Sequence, residues 1–236
     1  MSNNYFQLKQ FTIEQSGCAM KVGTDGCLLG GWFNVSCSKR ILDIGCGSGL
    51  ISIMAAQRCD ADITGVEIDK EASEQARTNV ANSPWSDRIS IINTDILLFS
   101  PEQPFDTIVC NPPYFVNSLK CGTESRTLAR HSDTLDCNGF FRKAYELLTK
   151  EGKISIVIPT DLLDEWKDAA AINGFANSRL TYIKTTPRKA PKRVLAEFVH
   201  AYTVETIVST LVLEDEPGIY SKEAQVILRD FYLKIV

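Results

Sequence analysis

Between residues 40 and 172 the chain alternates short apolar runs with segments of helical spacing. The runs at 40–44 (RILDI), 62–67 (DITGVE), 88–93 (RISIIN), 106–110 (DTIVC) and 153–158 (KISIVI) have strand length and are rich in Ile and Val. The segments at 48–58, 70–81, 139–148 and 161–172 predict helices, and Asp69 stands where the second of them needs an N-cap. Strands and helices in this alternation predict an α/β fold, a doubly wound and mostly parallel sheet covered on both faces. After residue 172 the pattern changes. The runs 179–185 and 194–204 read as two strands joined by a loop containing PRKAPKR, an antiparallel C-terminal edge hairpin. From residue 221, Ala224, Ile227, Leu228 and Phe231 fall on one helical face. Ahead of residue 40, two apolar stretches around Gly17 and a glycine-rich segment predict a hairpin over 5–30, lying on the sheet edge. A chain of 236 residues suits a single domain carrying these additions.

Composition narrows the function classes. The longest apolar runs, such as ISIVIP at 154–159, are far too short to span a membrane. The first ten residues, MSNNYFQLKQ, lack the basic-then-apolar pattern of a signal peptide, so a cytoplasmic protein is expected. Eight cysteines occur with no CxxC among them, which predicts reduced, mostly buried thiols and no metal site. A net charge of −4 argues against a general nucleic-acid binder. Locally the balance reverses. Residues 169–196 hold no acid and six basic side chains: Arg179, Lys184, Arg188, Lys189, Lys192 and Arg193. One basic patch on an acidic body is the asymmetry of a local polyanion site, and Arg188, Lys189, Lys192 and Arg193 are its candidate contacts.

The chemistry gathers at strand ends. In ILDIGCGSGL (41–50), Gly45, Gly47 and Gly49 form a strand-to-helix turn that lets backbone approach a ligand. Glu67 ends the next strand, where a carboxylate can accept both hydroxyls of a ribose. Asp95 ends the third strand and could bind an adenine amino group. A dinucleotide or S-adenosylmethionine could fit such a layout. An acid at Asp43 sits poorly beside a pyrophosphate and suits a ligand with an ammonium and a sulfonium. The stretch resembles motif I of class I, Rossmann-like methyltransferases, with Glu67 as their acidic motif II residue.

That resemblance implies that the end of the fourth strand, NPPY at 111–114, faces the methyl group. The motif is similar to that of enzymes that methylate planar, conjugated nitrogens. Such a nitrogen is a poor nucleophile because its lone pair is delocalised. Two acceptors drawing on its hydrogens, the Asn111 side-chain oxygen and the Pro112 carbonyl, localise that pair. Prolines stiffen the acceptors in advance, and Tyr114 offers a ring for stacking. From MKVGTDGCLLGGW (20–32) through NPPYF and ARHSDTL (129–135) to PRKAPKRVLAEF (187–198), the chain resembles bacterial tRNA adenine-N6 methyltransferases acting on position 37 of valine tRNA. The resemblance implies Lys21, Thr24 and Asp25 near the cofactor, with Phe115 and Arg130 on the substrate side. It also implies tRNA, around the anticodon stem-loop, as partner, with no obligatory protein partner. A glutamine-N5 methyltransferase acting on a protein such as a release factor is the alternative; that enzyme carries a helical N-terminal domain of several dozen residues, whereas the glycine motif begins near residue 41 here. A non-catalytic RNA-binding module is the third reading.

Overall fold

The computed structural model describes residues 3–18, 20–112 and 135–235. A small antiparallel hairpin of β1 (Tyr5–Gln7) and β2 (Thr12–Glu14) leads into helix α1 (Thr24–Trp32). Alternating units follow: β3 (Arg40–Ile44), α2 (Leu50–Arg58), β4 (Asp62–Glu67), α3 (Lys70–Ala81), β5 (Ile89–Asn93) and β6 (Phe105–Cys110). Then come α4 (Cys137–Leu147), β7 (Leu148–Pro159), α5 (Leu163–Ile172), β8 (Phe175–Lys184), β9 (Arg193–His200), β10 (Ile207–Val212) and α6 (Lys222–Leu228). Strands β3 to β10 form one sheet in the order β10-β8-β9-β7-β6-β3-β4-β5. Every pairing in it is parallel except the two made by β9.

Strand parity divides the core into two layers. On β3, Ile41 belongs to the layer that also holds Leu28 of α1, Met54 of α2 and Leu228 of α6. Leu42 and Ile44 point the other way, toward Phe140 and Phe141 of α4 and Trp166 of α5. Asp69 caps α3 as expected, its side chain accepting the amide of Ala72 at 2.8 Å. Among the described residues no helix is long and apolar enough to cross a membrane.

Two expectations need correction. The N-terminal hairpin ends at Glu14, and residues 24–32 are a buried helix rather than its second half. Glycine causes this, because α1 packs closer than side chains allow. A Cβ on Gly30 would lie 2.6 Å from Met54 Sδ, and one on Gly31 would collide with the Ile227 carbonyl oxygen. The C-terminal hairpin β8–β9 is antiparallel but is not the edge, because β10 pairs in parallel outside β8. The exposed Ile207 and Val208 hide the alternation of β10.

The short hairpin is tied to the body by Asn79 of α3, which is buried. Its amide nitrogen donates to the carbonyls of Glu14 (2.8 Å) and Ser48 (2.9 Å), and its oxygen accepts the Glu14 amide (3.0 Å). Gln15 continues the path by accepting the Val22 amide at 2.8 Å. The segment around residues 20–23 is thereby held across the carboxyl edge of the sheet.

Candidate active site

The turn after β3 is built by conformation. Gly45 and Gly47 have φ of +67° and +54°, which side chains resist, and a Cβ at either would meet nothing within 4 Å. The turn is therefore open on its outer side, and a ligand can lie against bare backbone. The amides of Gly45 and Cys46 both donate to the Val66 carbonyl, at 2.8 and 3.2 Å, fixing the turn to β4.

Glu67 completes that clamp. One carboxylate oxygen accepts the Gly47 amide at 2.8 Å and the other accepts the Asp69 amide at 2.9 Å. Each oxygen keeps a further lone pair, so the group can shape the turn and still receive two hydroxyls. Asn93, at the end of β5, donates to the carbonyls of Glu67 and Ile68 and holds this corner from the other side.

These parts wall a cleft of about 520 Å³ along the carboxyl edge of the sheet. Lys21, Gly45, Gly47, Glu67, Asp95, Asn111 and Pro112 all line it. The expected residues at 114, 115 and 130 lie outside the described residues, as do Pro113 and His131. Asp95 faces the cleft while its side chain accepts the Leu97 amide at 2.9 Å. The sequence pattern does not reveal the apolar part of the wall. Ile68 directly after Glu67, Ile96 directly after Asp95, and Phe140 and Trp166 from the far layer all contribute to it. Ile68 is 66% exposed, unusual for isoleucine and suited to the face of a planar ring. An apolar residue directly after an acid at a strand end is the signal that could have found it.

Four expected cofactor residues do not reach the cleft wall. Thr24 opens α1 and is exposed, and Gly49 caps α2 behind the turn. Asp25 forms an ion pair with Arg193. Asp43 is the clear correction. Its side chain is fully buried and points at α2, where one oxygen accepts the Ser52 hydroxyl at 2.7 Å and the other has no hydrogen-bond partner among the described residues. Parity explains this, because Asp43 faces the layer opposite Ile44. Burial pushes its carboxyl up to about 7, opposed by the Ser52 hydrogen bonds and aided slightly by the charge of Glu67. A carboxyl raised on folding costs nothing below its unfolded pKa, and its cost is complete only above the folded one. Asp43→Asn should therefore stabilise the cofactor-free protein increasingly as pH rises from 4 to 8. A variant-minus-parent melting difference that stayed flat across that range would rule out a charge effect.

The basic segment separates into distinct environments. Arg188, Lys189 and Lys192 are exposed on the loop between β8 and β9. Arg179 lies inside, its guanidinium 3.6 Å from the Trp32 ring centroid and paired with buried Glu197. Lys184 bonds back to the Pro187 carbonyl at 2.8 Å. Because β9 runs against its neighbours, its first residue lies at the carboxyl edge, with Arg193 opposite Pro159. Only β7 stands between β9 and β6, so the base of the loop at Arg193 starts a strand roughly 10 Å from the one that leads into Asn111.

The methyltransferase small domain family matches residues 21–167. A tRNA1(Val) (adenine(37)-N6)-methyltransferase from Phocaeicola vulgatus is 47% identical over 235 residues, covering 100% of both chains. One from Bacteroides thetaiotaomicron is 45% identical, again covering 100% of each. The chain belongs to the tRNA1(Val) (adenine(37)-N6)-methyltransferase family. The fold also matches a predicted O-methyltransferase from Agrobacterium tumefaciens, with a TM-score of 0.69 at 20% identity over 88% of this chain and 96% of that one. The family's methyl donor, S-adenosylmethionine, suits the cleft found here. Bare backbone at Gly45 and Gly47, two strand-end carboxylates and the exposed face of Ile68 match its nucleoside and amino-acid parts.

Glu67→Ala should weaken S-adenosylmethionine binding by about tenfold or more, the loss of a charge-assisted pair. It should also loosen the turn at Gly47, so Glu67→Gln should bind better than Glu67→Ala. Calorimetric affinities equal to wild type in both variants would remove Glu67 from the site.

Proposed function

We propose that this protein methylates the exocyclic N6 of an adenine in tRNA, at position 37 beside the anticodon of valine tRNA, and does so in the cytoplasm. The observation that carries the reading is Asn111 and Pro112 opening into the cleft, on the same sheet edge as the exposed Arg188, Lys189 and Lys192. S-adenosylmethionine, when bound, supplies an electrophilic methyl group on a sulfonium. The chain supplies the rest. Glu67 and the glycine turn orient the nucleoside part. The Asn111 side-chain oxygen and the Pro112 carbonyl accept the two amine hydrogens and turn the nitrogen lone pair outward. After transfer the nitrogen is cationic and sheds a proton to solvent, so no side-chain base is assigned.

Adenine 37 lies in a loop, where a base can leave its stack at modest cost. The basic loop is suited to the neighbouring phosphates, which fix register without reading sequence. Transfer of labelled methyl to total tRNA from cells lacking the modification tests the proposal. Label is expected in N6-methyladenosine of valine tRNA. Label in a glutamine of a release factor, with none in tRNA, would overturn it.

A further inference from the structure

The ion pair between Arg193 and Asp25 joins two residues whose sequence positions suggest different ligands. Nε of Arg193 donates to a carboxylate oxygen of Asp25 at 2.7 Å, and both side chains are about two-thirds buried. Neither Asp25 nor Arg193 lines the cleft. Resting on Asn111 as the acceptor of the target amine, we infer that Arg193 and Asp25 form a positioning pair holding the first turn of α1 against Asn111.

Three observations carry this. The Arg193 end is rigid, because Thr160 donates its amide to the Lys192 carbonyl (3.2 Å) and its hydroxyl to the Pro191 carbonyl (3.1 Å). The base of the basic loop is thereby fastened to the end of β7. The α1 end has no side-chain cap, because its N-cap is Gly23, so the Asp25 ion pair supplies a side-chain tie that the cap does not. The held turn lies close to Asn111. A Cβ on Gly26, the residue after Asp25, would lie 3.7 Å from the Asn111 amide nitrogen and 3.3 Å from Leu50. Gly26 thus lies within one side-chain atom's reach of the Asn111 amide, and a shift of this turn changes that spacing.

The roles separate in kinetics. As independent contacts, Arg193 would bind phosphate and set KM for tRNA, Asp25 would set cofactor affinity, and their losses would multiply. As a positioning pair, either loss displaces the same turn. Asp25→Asn, which keeps the shape, and Arg193→Ala should each lower kcat for tRNA methylation by about tenfold or more, with cofactor affinity near wild type. The double variant should be no slower than the worse single variant, and Arg193→Lys should recover part of the rate. Should Arg193→Ala melt early, the cycle is run with Arg193→Gln and Asp25→Asn, whose melting points serve as the folding control. Multiplicative losses, with Arg193→Ala raising only the tRNA KM and Asp25→Asn weakening only the cofactor, would overturn the inference. Failure of the unmodified enzyme to methylate tRNA would instead defeat the proposed function, so the two outcomes are distinguishable.

Discussion

Asn111→Ala is expected to lower the methylation rate by about 10²–10³ while S-adenosylmethionine binds nearly as before. The contrast follows from geometry. Asn111 sits at the end of β6, one strand away from the glycine turn that follows β3, and Glu67 lies one strand further out. The side chain is thus apart from the carboxylates that suit the nucleoside. Under the proposed function its effect is confined to the reacting nitrogen, where a fixed acceptor is worth most as charge develops. The fold should tolerate the change, because Asn111 is only half-buried. Asn111→Asp provides the sharper comparison. It retains an acceptor oxygen at the same reach, so it should keep far more activity than Ala. Single-turnover methylation with saturating tRNA, alongside calorimetry for the cofactor, checks both. A near wild-type rate for Asn111→Ala would make the amide a structural group, and the acceptor scheme would fail with it.

The parallel half of the sheet was legible because its signals are local. Each strand from β3 to β6 is a short apolar run that ends on, or is followed at once by, a polar or glycine residue, and in a parallel sheet these ends share one edge. Glu67, Asp95 and Asn111 converge for that reason alone. Asp43 was misread by adjacency. It precedes the glycines in sequence, but the alternation that sends Ile44 to the α4–α5 layer sends Asp43 under α2. Helix α1 was hidden by the glycines that let it pack, since Gly30 and Gly31 lower helix propensity while permitting contact with Met54 and Ile227.

Net charge was the least legible quantity. A window of six bases says nothing about which of them folding pairs or buries. Arg179 is consumed by Trp32 and Glu197, its cross-strand partner in the β8–β9 ladder. Arg193 is held by Asp25 across 168 residues of sequence. Neither partner could be inferred from the basic segment itself. What remains exposed at the loop is a smaller cluster, better placed than the full window suggests.

That cluster yields the second large expected effect. Replacing Arg188, Lys189 and Lys192 together by Ala should weaken tRNA binding by about a hundredfold near physiological salt. Counterion release is worth roughly fivefold per phosphate contact at that ionic strength, and three contacts are removed. The slope of log affinity against log salt should flatten by about two to three. Maximal turnover at saturating tRNA should change little, because none of the three lines the cleft. Arg193 is left intact, since its loss would disturb α1 and mix a rate effect into a binding measurement. Prolines at 187 and 191 restrict the loop, so the charges are presented as a group and the variant should fold normally. Filter binding across a salt series, paired with saturation kinetics, separates the possibilities. An unchanged slope would reduce the loop to a solvated surface, and the phosphate contacts would then have to come from elsewhere on the carboxyl edge.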